Sequence, residues 1–422
     1  MRRVSLVLFA TTALLAAIAS PARATNGYFA HGYGTHYKGI AGAGVALHLD
    51  SLAAATNPAA TAFLGDRFDV SLSAFSPDRY YTVSGNPSGY PGTFGLTPGE
   101  VRSDSRLFPV PALAGSWKAG EKGAFGVAVY GNGGMNTNWP TATFYAGSPT
   151  GVNLDQMFVA PTYAYKLGDK HALGLSAIGA LQWFKAEGVG SFADFSSDPS
   201  NLSDKGYAYA FGAGLRVGYL GEWSRYLSVG ASYQTKVAMG QFDKYAGLFA
   251  EQGGFDVPAN WTAGVALHPT ADVDLAVDVQ QVFYSKVASV GNPLLPNLMQ
   301  APLGADGGAG FGWKDVTTVK AGLQVRAGDG WTLRGGYSHC GQPVSVSEVL
   351  FNILAPGVVE NQVTVGFSKV LGDTQEISVA VMRAFEKKVK GANPLEVPGL
   401  QSIELRMSEW DFEIGWSFGI RK

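Results

Sequence analysis

The stretch ADVDLAVDVQ, residues 271–280, decides the fold class. Val273, Leu275, Val277 and Val279 alternate with small or polar residues, and a period of two places each set on its own face of a β-strand. After a long connection, VTTVKAGLQVR at 316–326 alternates in the same way. A soluble sandwich hides its apolar face inside, whereas a membrane barrel turns it outward. The rest of the chain must therefore distinguish these two folds.

The composition favours a membrane protein that crosses the bilayer with strands. Only 15% of the 422 residues are charged and 56 are glycine, whereas an ordinary soluble protein has about 25% charged residues. After residue 20 no apolar run approaches the roughly 18 residues that a membrane-spanning helix needs. The formal net charge of -2 gives no indication of nucleic-acid binding.

The first 24 residues predict a secretory signal peptide. Arg2 and Arg3 precede an apolar core from Val4 to Ile18, and Ala22-Arg23-Ala24 forms a small-x-small cleavage site. The mature chain is therefore expected to begin at Thr25. Its single cysteine, Cys340, cannot form an internal disulfide.

Residues 25–64 are rich in glycine and alanine and contain the tripeptide Asn57-Pro58-Ala59. The lack of alternation predicts short helical turns and tight bends rather than strands. A segment made of such small residues could fold inside a larger structure.

From residue 65 to 422 the sequence predicts fourteen strands joined by connections that alternate in length. The predicted strands lie at 67–76, 104–118, 123–132, 154–166, 170–188, 205–220, 225–237, 256–267, 271–286, 315–327, 330–340, 359–371, 373–386 and 403–420. An even-numbered meander with short turns at one end and long loops at the other is typical of outer-membrane barrels. The fold class is therefore all-β, a 14-stranded antiparallel transmembrane β-barrel, with aromatic girdles expected near strand ends, for example at Trp117 and Trp416.

The long loops are unusually apolar for segments that face water. Their candidate ligand-contacting residues are Leu248, Phe249, Leu294, Leu295, Leu298, Met299, Leu350 and Leu354. Apolar surface exposed to water is either covered or used for binding. These residues therefore pack on one another as a lid or form a groove that captures a hydrophobic solute, and the two interpretations are compatible.

Several fragments, taken in order, resemble the FadL-type long-chain fatty acid and hydrocarbon transporters of Gram-negative outer membranes. They are Asn57-Pro58-Ala59, Phe108-Pro109-Val110-Pro111, Phe255-Asp256-Val257-Pro258-Ala259-Asn260-Trp261, Gly312-Trp313-Lys314-Asp315, Gly330-Trp331-Thr332-Leu333-Arg334-Gly335-Gly336-Tyr337 and Pro343-Val344. The resemblance extends over most of the mature chain.

The resemblance implies that the N-terminal segment, 25–64, is a hatch that plugs the barrel lumen and gates a pocket. Its expected gate residues are Thr25, Asn26, Gly27, Tyr28, Phe29, Asn57, Pro58 and Ala59. The resemblance also implies a lateral exit at an inward kink of the third strand. Gly131, Gly133 and Gly134 interrupt that strand here and permit a bulge.

The residue that would hold a substrate carboxylate departs from the family pattern. A family member can have a basic residue just before the segment that corresponds to Trp313-Lys314-Asp315. In this chain residues 307–311 are GGAGF, with no basic residue. By strand parity Lys320, Arg326 and Arg334 face the lumen and are candidate carboxylate contacts. The alternative is pairing with carboxylates of the preceding strand, such as Asp274 and Asp278, because an unpaired buried charge is unfavourable.

The predicted function is passive uptake of long-chain fatty acids or of aromatic or alkane hydrocarbons through the outer membrane. We expect a monomer in contact with outer-membrane lipid, inserted by the barrel-assembly machinery, with no nucleic-acid partner and no cofactor. The hatch histidines His31, His36 and His48 are expected in polar structural roles rather than at a metal.

Two alternative functions remain open from the sequence. A general porin for small polar solutes is disfavoured by the hatch-like N-terminus and the apolar loops. An outer-membrane lipid hydrolase would need a serine and a histidine together, and His339 near Ser338 or Ser345 is the one arrangement to consider. Nothing in the sequence orients that histidine, so the chain is not expected to be an enzyme.

Overall fold

The computed structural model describes residues 27–419. The predicted signal peptide, 1–24, and the predicted gate residues Thr25 and Asn26 lie outside these residues. The barrel strands are β1 (Arg67–Ser84), β2 (Phe108–Ala119), β3 (Gly123–Asn136), β4 (Gly151–Lys166), β5 (His171–Glu187), β6 (Ala208–Ser224), β7 (Leu227–Gln234), β8 (Asn260–Thr270), β9 (Val273–Val282), β10 (Val316–Gly328), β11 (Trp331–Cys340), β12 (Asn361–Leu371), β13 (Gln375–Ala392) and β14 (Ser402–Phe418). Two short strands, Gly99–Arg102 and Ala238–Met239, pair with β1 and β6.

The helices are short and lie inside the barrel or in the long loops. The α-helices are Thr35–Gly39, Thr61–Leu64, Ala250–Gly253, Ala288–Gly291 and Asn297–Gln300. The 3-10 helices are Ser51–Ala55, Pro58–Ala60, Gly190–Phe195, Pro199–Asn201, Asp243–Tyr245, Tyr284–Lys286, Val346–Glu348 and Phe351–Ile353. Within residues 27–419 no helix is both long and apolar enough to cross a membrane.

The strands close into one ring. Each strand pairs antiparallel with the next, and β1 pairs with β14 from Phe68↔Phe418 to Ser84↔Ser402. Closure satisfies the backbone amides that an open sheet would leave exposed to lipid. The prediction of a 14-stranded antiparallel barrel is confirmed, with short turns at one end and long loops at the other. By analogy with other outer-membrane barrels, the short turns are periplasmic and the long loops extracellular.

The apolar face of the strands points outward. On β9, Val277 is 46% exposed on the outer face, whereas its neighbour Asp278 is completely buried on the luminal side. Trp117 and Trp416, near the short-turn end, are exposed on the outer face as a girdle would be. The alternation of ADVDLAVDVQ is therefore that of a membrane barrel with an oily exterior, not that of a soluble sandwich.

Residues 27–64, here called the luminal segment, contact inward-facing groups around the ring. Lys38 forms ion pairs with Asp411 and Glu413 on β14. On other sides of the ring, the backbone N–H groups of residues 44 and 45 donate to Asp278 on β9, and Asn57 donates to the carbonyl of residue 219 on β6. Because these anchors lie on separated strands, the segment occupies the lumen.

Strand β1 is longer than predicted. It continues past Pro77 to Ser84, in register with β14, whereas the sequence pattern ended the strand at residue 76. Proline normally marks a strand end or an edge because it lacks an amide donor. Pairing of β1 with β2 ends at Phe75, and pairing with the short strand Gly99–Arg102 begins at Tyr80. Pro77 lies between these two ladders, so its missing amide donor leaves no hydrogen bond unmade on that side.

Candidate functional site

A cavity of about 330 Å³ lies between the luminal segment and the barrel wall. One side is formed by the first described residues of the chain, among them Tyr28, Phe29 and His31. The wall side is formed mainly by β1, β2, β3, β4 and β14, with single residues from β5, β12 and β13. Most of this lining is apolar. Arg79, Glu409, Asp411 and Lys38 lie on or against β1 and β14, whereas Asp155 lies on β4.

Strand β3 has a bulge beside the cavity. Its register against β4 shifts between Gly131 and Gly133, so Asn132 is the extra residue. Gly133 has a φ of 153°, a backbone conformation that residues other than glycine rarely adopt. A bulge bends its strand and increases the local twist. The predicted glycine residues therefore do lie at an irregularity of the third strand.

The luminal segment pairs with this bulge. Phe29 forms an isolated antiparallel bridge with Gly133. The N–H of Ala30 donates to the carbonyl of Asn132 at 3.0 Å, and the N–H of Gly134 donates to the carbonyl of Tyr28 at 3.2 Å. A Cβ atom on Gly133 would collide with the carbonyl of Tyr28. The backbone approach therefore requires glycine at this position.

Because β3 bends inward, it separates from β2. The β2–β3 ladder ends at Ala112↔Tyr130, and among the described residues Phe108–Pro111 has only β1 as a strand partner. Pro109 and Pro111 lie in this unpaired stretch, where a missing amide donor is tolerated. The result is a gap in the wall next to the cavity.

The cavity reaches through this gap to the outer face. Its lining includes inward-facing residues such as Arg79 and Asp411, and also outward-facing residues of the wall. The latter include Pro109, Pro111, Leu113, Met157 and Trp183. A molecule in the cavity could therefore touch both the lumen and the lipid-facing side of the barrel.

Aromatic rings cover the start of the luminal segment. The ring of Tyr28 lies 5.2 Å from that of Tyr284 and 5.8 Å from that of Trp313, and Phe29 packs edge-on against Tyr284. Tyr28 and Phe29 are both buried. Offset and edge-on aromatic pairs contribute about 0.5–1.5 kcal/mol beyond their buried area. The segment is thus held by rings as well as by the bulge of β3.

The second group of predicted gate residues lies elsewhere. Asn57 accepts a hydrogen bond from the N–H of Ala59 at 3.1 Å and donates to the carbonyls of Val45 and Tyr219 at 2.7 and 2.8 Å. It therefore caps a 3-10 helix and anchors the segment to β6. Pro58 lies next to the wall, and none of the three residues lines the cavity.

The pKa values of two buried histidines in the luminal segment are shifted in opposite directions. Burial, reinforced by the charge of Lys38, lowers the pKa of His31 to about 3, so this ring is neutral. His36 lies between Asp50, at 2.7 Å, and Glu376. Burial lowers the pKa of His36, but the hydrogen bonds with the two carboxylates outweigh it and raise the pKa above 6.5. His36 is therefore protonated more readily than a free histidine.

His48 differs from the other two histidines in its exposure. It lies 3.5 Å from Glu222, and both side chains are about two-fifths exposed. Among residues 27–419 no group of three histidine, cysteine, aspartate or glutamate side chains is arranged to hold a metal ion.

The apolar loop residues pack mostly against one another. Leu294, Leu298 and Leu350 are buried, and Leu248, Phe249 and Leu354 surround a small cavity of about 30 Å³. Leu295 is half-buried and Met299 is 63% exposed. In this conformation the loops form a closed lid over the barrel, and the ligand groove stays a prediction.

The candidate carboxylate contacts are distributed over the wall and do not line the cavity. Arg326 pairs with Asp274 at 2.8 Å. Lys320 donates to the carbonyl of His31 at 3.2 Å and faces Asp278 across the β9–β10 ladder. Arg334 donates to side chains of its neighbouring strands, Gln324 and Ser368. Arg326 is therefore in an internal ion pair, the alternative to a substrate contact, whereas the hydrogen bonds of Lys320 and Arg334 go to uncharged groups.

Arg79 is the cavity-lining arginine that sequence reasoning missed. It is buried and lies on β1 beyond Pro77, in a stretch that the pattern assigned to a loop. The signal that could have found it is the alternation of Arg79, Tyr81 and Val83 with Tyr80 and Thr82, which continues the two-residue period past the proline.

Ser338 and His339, one of the two serine–histidine pairs considered for hydrolysis, are not oriented toward each other. Ser338 and His339 are consecutive on β11, and consecutive strand residues point to opposite faces. Ser338 is buried on the luminal side and donates to Gln362 at 3.3 Å.

The features described so far define a closed outer-membrane barrel with an occupied lumen and a cavity that opens sideways. The sequence profile of the family described as "Outer membrane protein transport protein (OMPP1/FadL/TodX)" matches residues 13–402. The chain belongs to this family and is an outer-membrane protein. The family is one of transport proteins, and the resemblance seen in the sequence is confirmed. No curated protein matches the chain.

Solved structures of similar fold are related at low sequence identity. The P. putida toluene transporter TodX is 16% identical, with a TM-score of 0.69 over 93% of this chain and 99% of that one. A Pseudomonas aeruginosa FadL homologue is 15% identical, with a TM-score of 0.67 over the same shares. The Ralstonia pickettii toluene transporter TbuX is 18% identical, with a TM-score of 0.64 over 93% of this chain and 99% of that one. At these identities the likeness shows the fold.

Proposed function

We propose that the protein is a passive channel for hydrophobic compounds that leave the barrel sideways, between β2 and β3. The observation that carries the proposal is the cavity lining, which joins inward-facing Arg79 to outward-facing Pro109 and Leu113 through the gap in the wall. A polar solute would gain nothing from an opening toward lipid. A hydrophobic solute would reach the bilayer without crossing the aqueous periplasmic end of the barrel.

The proposed substrates are aromatic or alkane hydrocarbons and long-chain fatty acids. Two structures of similar fold are described as toluene transporters and another as a monoaromatic hydrocarbon channel. Transfer of each methylene group from water into an apolar site contributes about 0.8 kcal/mol. Binding and a concentration gradient therefore suffice for uptake without an energy source or a cofactor.

The proposed gate is the start of the luminal segment, Thr25 to Phe29. Its described part, Gly27 to Phe29, borders the cavity and is held by the bulge of β3 and the rings of Tyr284 and Trp313. Displacing it would enlarge the cavity at the gap. Asn57, Pro58 and Ala59 would hold the rest of the segment in place meanwhile.

Capture is proposed at the long loops. Met299 and Leu295 keep apolar surface near water, and separation of the lid would expose Leu294, Leu298 and Leu350 to a solute. Each barrel contains its own cavity and its own gap, so we expect a monomer to suffice. Insertion by the barrel-assembly machinery is expected as for other outer-membrane barrels.

A disulfide across the gap tests the lateral route. A Cβ atom on Gly131 would lie 2.9 Å from Cγ1 of Val110, so cysteines at these two positions are close enough to bond. In cells carrying Val110→Cys together with Gly131→Cys, oxidation should stop uptake of radiolabelled toluene and oleate, and dithiothreitol should restore it. The two variants that carry only one of the introduced cysteines beside buried, native Cys340 are the controls and should respond to neither reagent.

The redox cycle separates blockage from misfolding, because a misfolded barrel would not recover on reduction. Full uptake by the oxidised double variant, with the disulfide verified by mass spectrometry, would contradict lateral exit through this gap.

A further inference from the structure

Two buried charged side chains border the cavity without a close partner. Arg79 on β1 and Glu409 on β14 are each 6% exposed, and both line the cavity. The register pairs Pro77 with Glu409 and Arg79 with Met407, so the two charges are diagonal neighbours on the luminal face. The two side chains carry opposite charges and attract each other electrostatically.

The hydrogen-bonding capacity of this pair is largely unused. A guanidinium has five N–H donors. Among residues 27–419 the Arg79 guanidinium makes a single hydrogen bond, a long one of 3.5 Å to the carbonyl oxygen of Ser105. Within the same residues the Glu409 carboxylate accepts no hydrogen bond and lies in no ion pair. Neighbouring Asp411, by contrast, is bonded to both Lys38 and Ser73. Buried charges are normally paired or bound to a ligand.

The surroundings of the pair suit the apolar part of an amphiphile. Inward-facing apolar side chains beside the two charges are Phe75, Phe108, Val110, Met135, Met382 and Met407. Methionine side chains adapt to ligands of different shape. At this pair the cavity thus offers a polar position, with a donor and an acceptor, at the side of an apolar space.

Three headgroup types differ in how they meet this position. A hydroxyl accepts a hydrogen bond from Arg79 and donates one to Glu409, so it satisfies both groups. A carboxylate would be attracted by Arg79 but repelled by Glu409. A plain hydrocarbon would leave both charges buried without a partner.

We infer that the cavity selects an amphiphile with a neutral hydroxyl headgroup, an alcohol or a phenol, and that Arg79 and Glu409 are the specificity-determining pair. This inference rests on the proposed function, because it assumes that hydrophobic compounds occupy the cavity.

The test compares three ligands of equal chain length on the full barrel in lipid nanodiscs. Radiolabelled 1-decanol is bound, and unlabelled 1-decanol, decane and decanoate compete for the site. Loss of hydrogen bonds to charged groups weakens binding by roughly tenfold or more. We therefore expect 1-decanol to compete at least about tenfold better than decane and better than decanoate.

Two variants of the pair should act in different directions. Arg79→Met should reduce binding of 1-decanol by about tenfold while leaving that of decane unchanged, because it removes a charged donor. Glu409→Gln should improve competition by decanoate, because it removes the repelling charge, and misfolding cannot produce such a gain. Arg102→Met is the matched control: this exposed arginine pairs with Asp78 outside the cavity, so the wild-type ranking should persist.

The outcomes separate this inference from the proposed function. Equal competition by decane and 1-decanol would overturn the inference and leave the proposed function standing. So would an equal loss of all three ligands in Arg79→Met, or no gain for decanoate in Glu409→Gln. If none of the three ligands binds the wild-type barrel, both the inference and the proposed function fail.

Discussion

At the scale of single residues, Gly133 is needed where the luminal segment pairs with β3, for two reasons. Its φ of 153° is rarely adopted by other residues. Its Cα also lies so close to the carbonyl oxygen of Tyr28 that an added Cβ atom would collide with that oxygen. The chain can satisfy both conditions only with glycine. The contact between the luminal segment and β3 therefore depends on a residue without a side chain.

Gly133→Val should release the start of the luminal segment from the bulge. Strain of this kind costs about 1–3 kcal/mol, enough to displace the two backbone hydrogen bonds at Tyr28 and Ala30. A Tyr28→Cys reporter should then react faster with a thiol reagent than in the wild-type background. Gly179→Ala on β5 is the control, because the nearest atom to its added Cβ is 3.8 Å away. An unchanged rate in Gly133→Val would contradict the role of this glycine.

His36 and His31 should give the luminal segment opposite pH dependences. The folded pKa of His36 is above 6.5, so its stabilisation is present in full below pH 6.5 and is lost as the pH rises through that raised pKa. The folded pKa of His31 is about 3, so protonation of the unfolded chain lowers stability as the pH falls below 6.5.

Thermal unfolding in detergent from pH 5 to pH 9 checks both signs. His36→Gln should flatten the loss of Tm on the alkaline side, whereas His31→Gln should flatten the loss on the acid side. The two variants serve as controls for each other. Identical pH profiles for the two would contradict the assignment of the charged and the neutral ring.

At the scale of elements, the helix Thr35–Gly39 is tied to β14 by one buried lysine. Lys38 Nζ lies 2.6 Å from Asp411 and 2.7 Å from Glu413, and all three side chains are buried. Removing one partner of a buried ion pair costs about 3–5 kcal/mol, because the remaining charge has no compensation. This anchor fixes the middle of the luminal segment independently of the contacts that hold its start against β3.

Lys38→Met should therefore loosen the luminal segment without opening the barrel. Hydrogen exchange at residues 35–39 should accelerate, and the strands should keep their protection. The triple variant Lys38→Met, Asp411→Asn, Glu413→Gln should recover part of the loss, because it removes the uncompensated charges. Lys388→Met breaks an exposed pair with Glu404, worth about 0–1 kcal/mol, and should change nothing at residues 35–39. Unaltered exchange in Lys38→Met would contradict the anchor.

Alternation in the sequence predicted the elements well where nothing interrupts the pattern. The strands from β4 to β12 follow a two-residue period between turn residues, and their order and pairing are as predicted. Pro77 interrupts the pattern in β1, and the continuation to Ser84 is held by pairing with β14, more than 300 residues away in the chain. The alternation itself continues past the proline, but proline normally marks a strand end, so the pattern was ended there and Arg79 was missed.

At the scale of the whole molecule, the barrel is a ring of paired strands in which β2 and β3 separate beside the cavity. The predicted glycines marked the place of the bulge, but the sequence did not indicate what meets it. The cavity joins groups as distant in sequence as Tyr28, Arg79, Gly133 and Glu409. Their proximity results from closure of the ring around the luminal segment, so it could be found only from the folded chain.

The basic residues illustrate the same difference of scale. Parity correctly predicts that Lys320 and Arg334 face the lumen, and both are bonded there to neighbouring groups. Which luminal charges are already paired depends on strand register and on the luminal segment. Only the assembled barrel shows that the cavity is bordered by Arg79 and Glu409 instead.

The central claim is that the barrel passes hydrophobic compounds and excludes polar ones. The most direct measurement is uptake of radiolabelled toluene, oleate and a small sugar by cells that lack their own outer-membrane transporters and carry this gene. Entry of toluene or oleate above the empty-vector level, with no entry of sugar, is the predicted result. Entry of the sugar at a similar rate would contradict it, because it would make the protein a general porin with an open lumen.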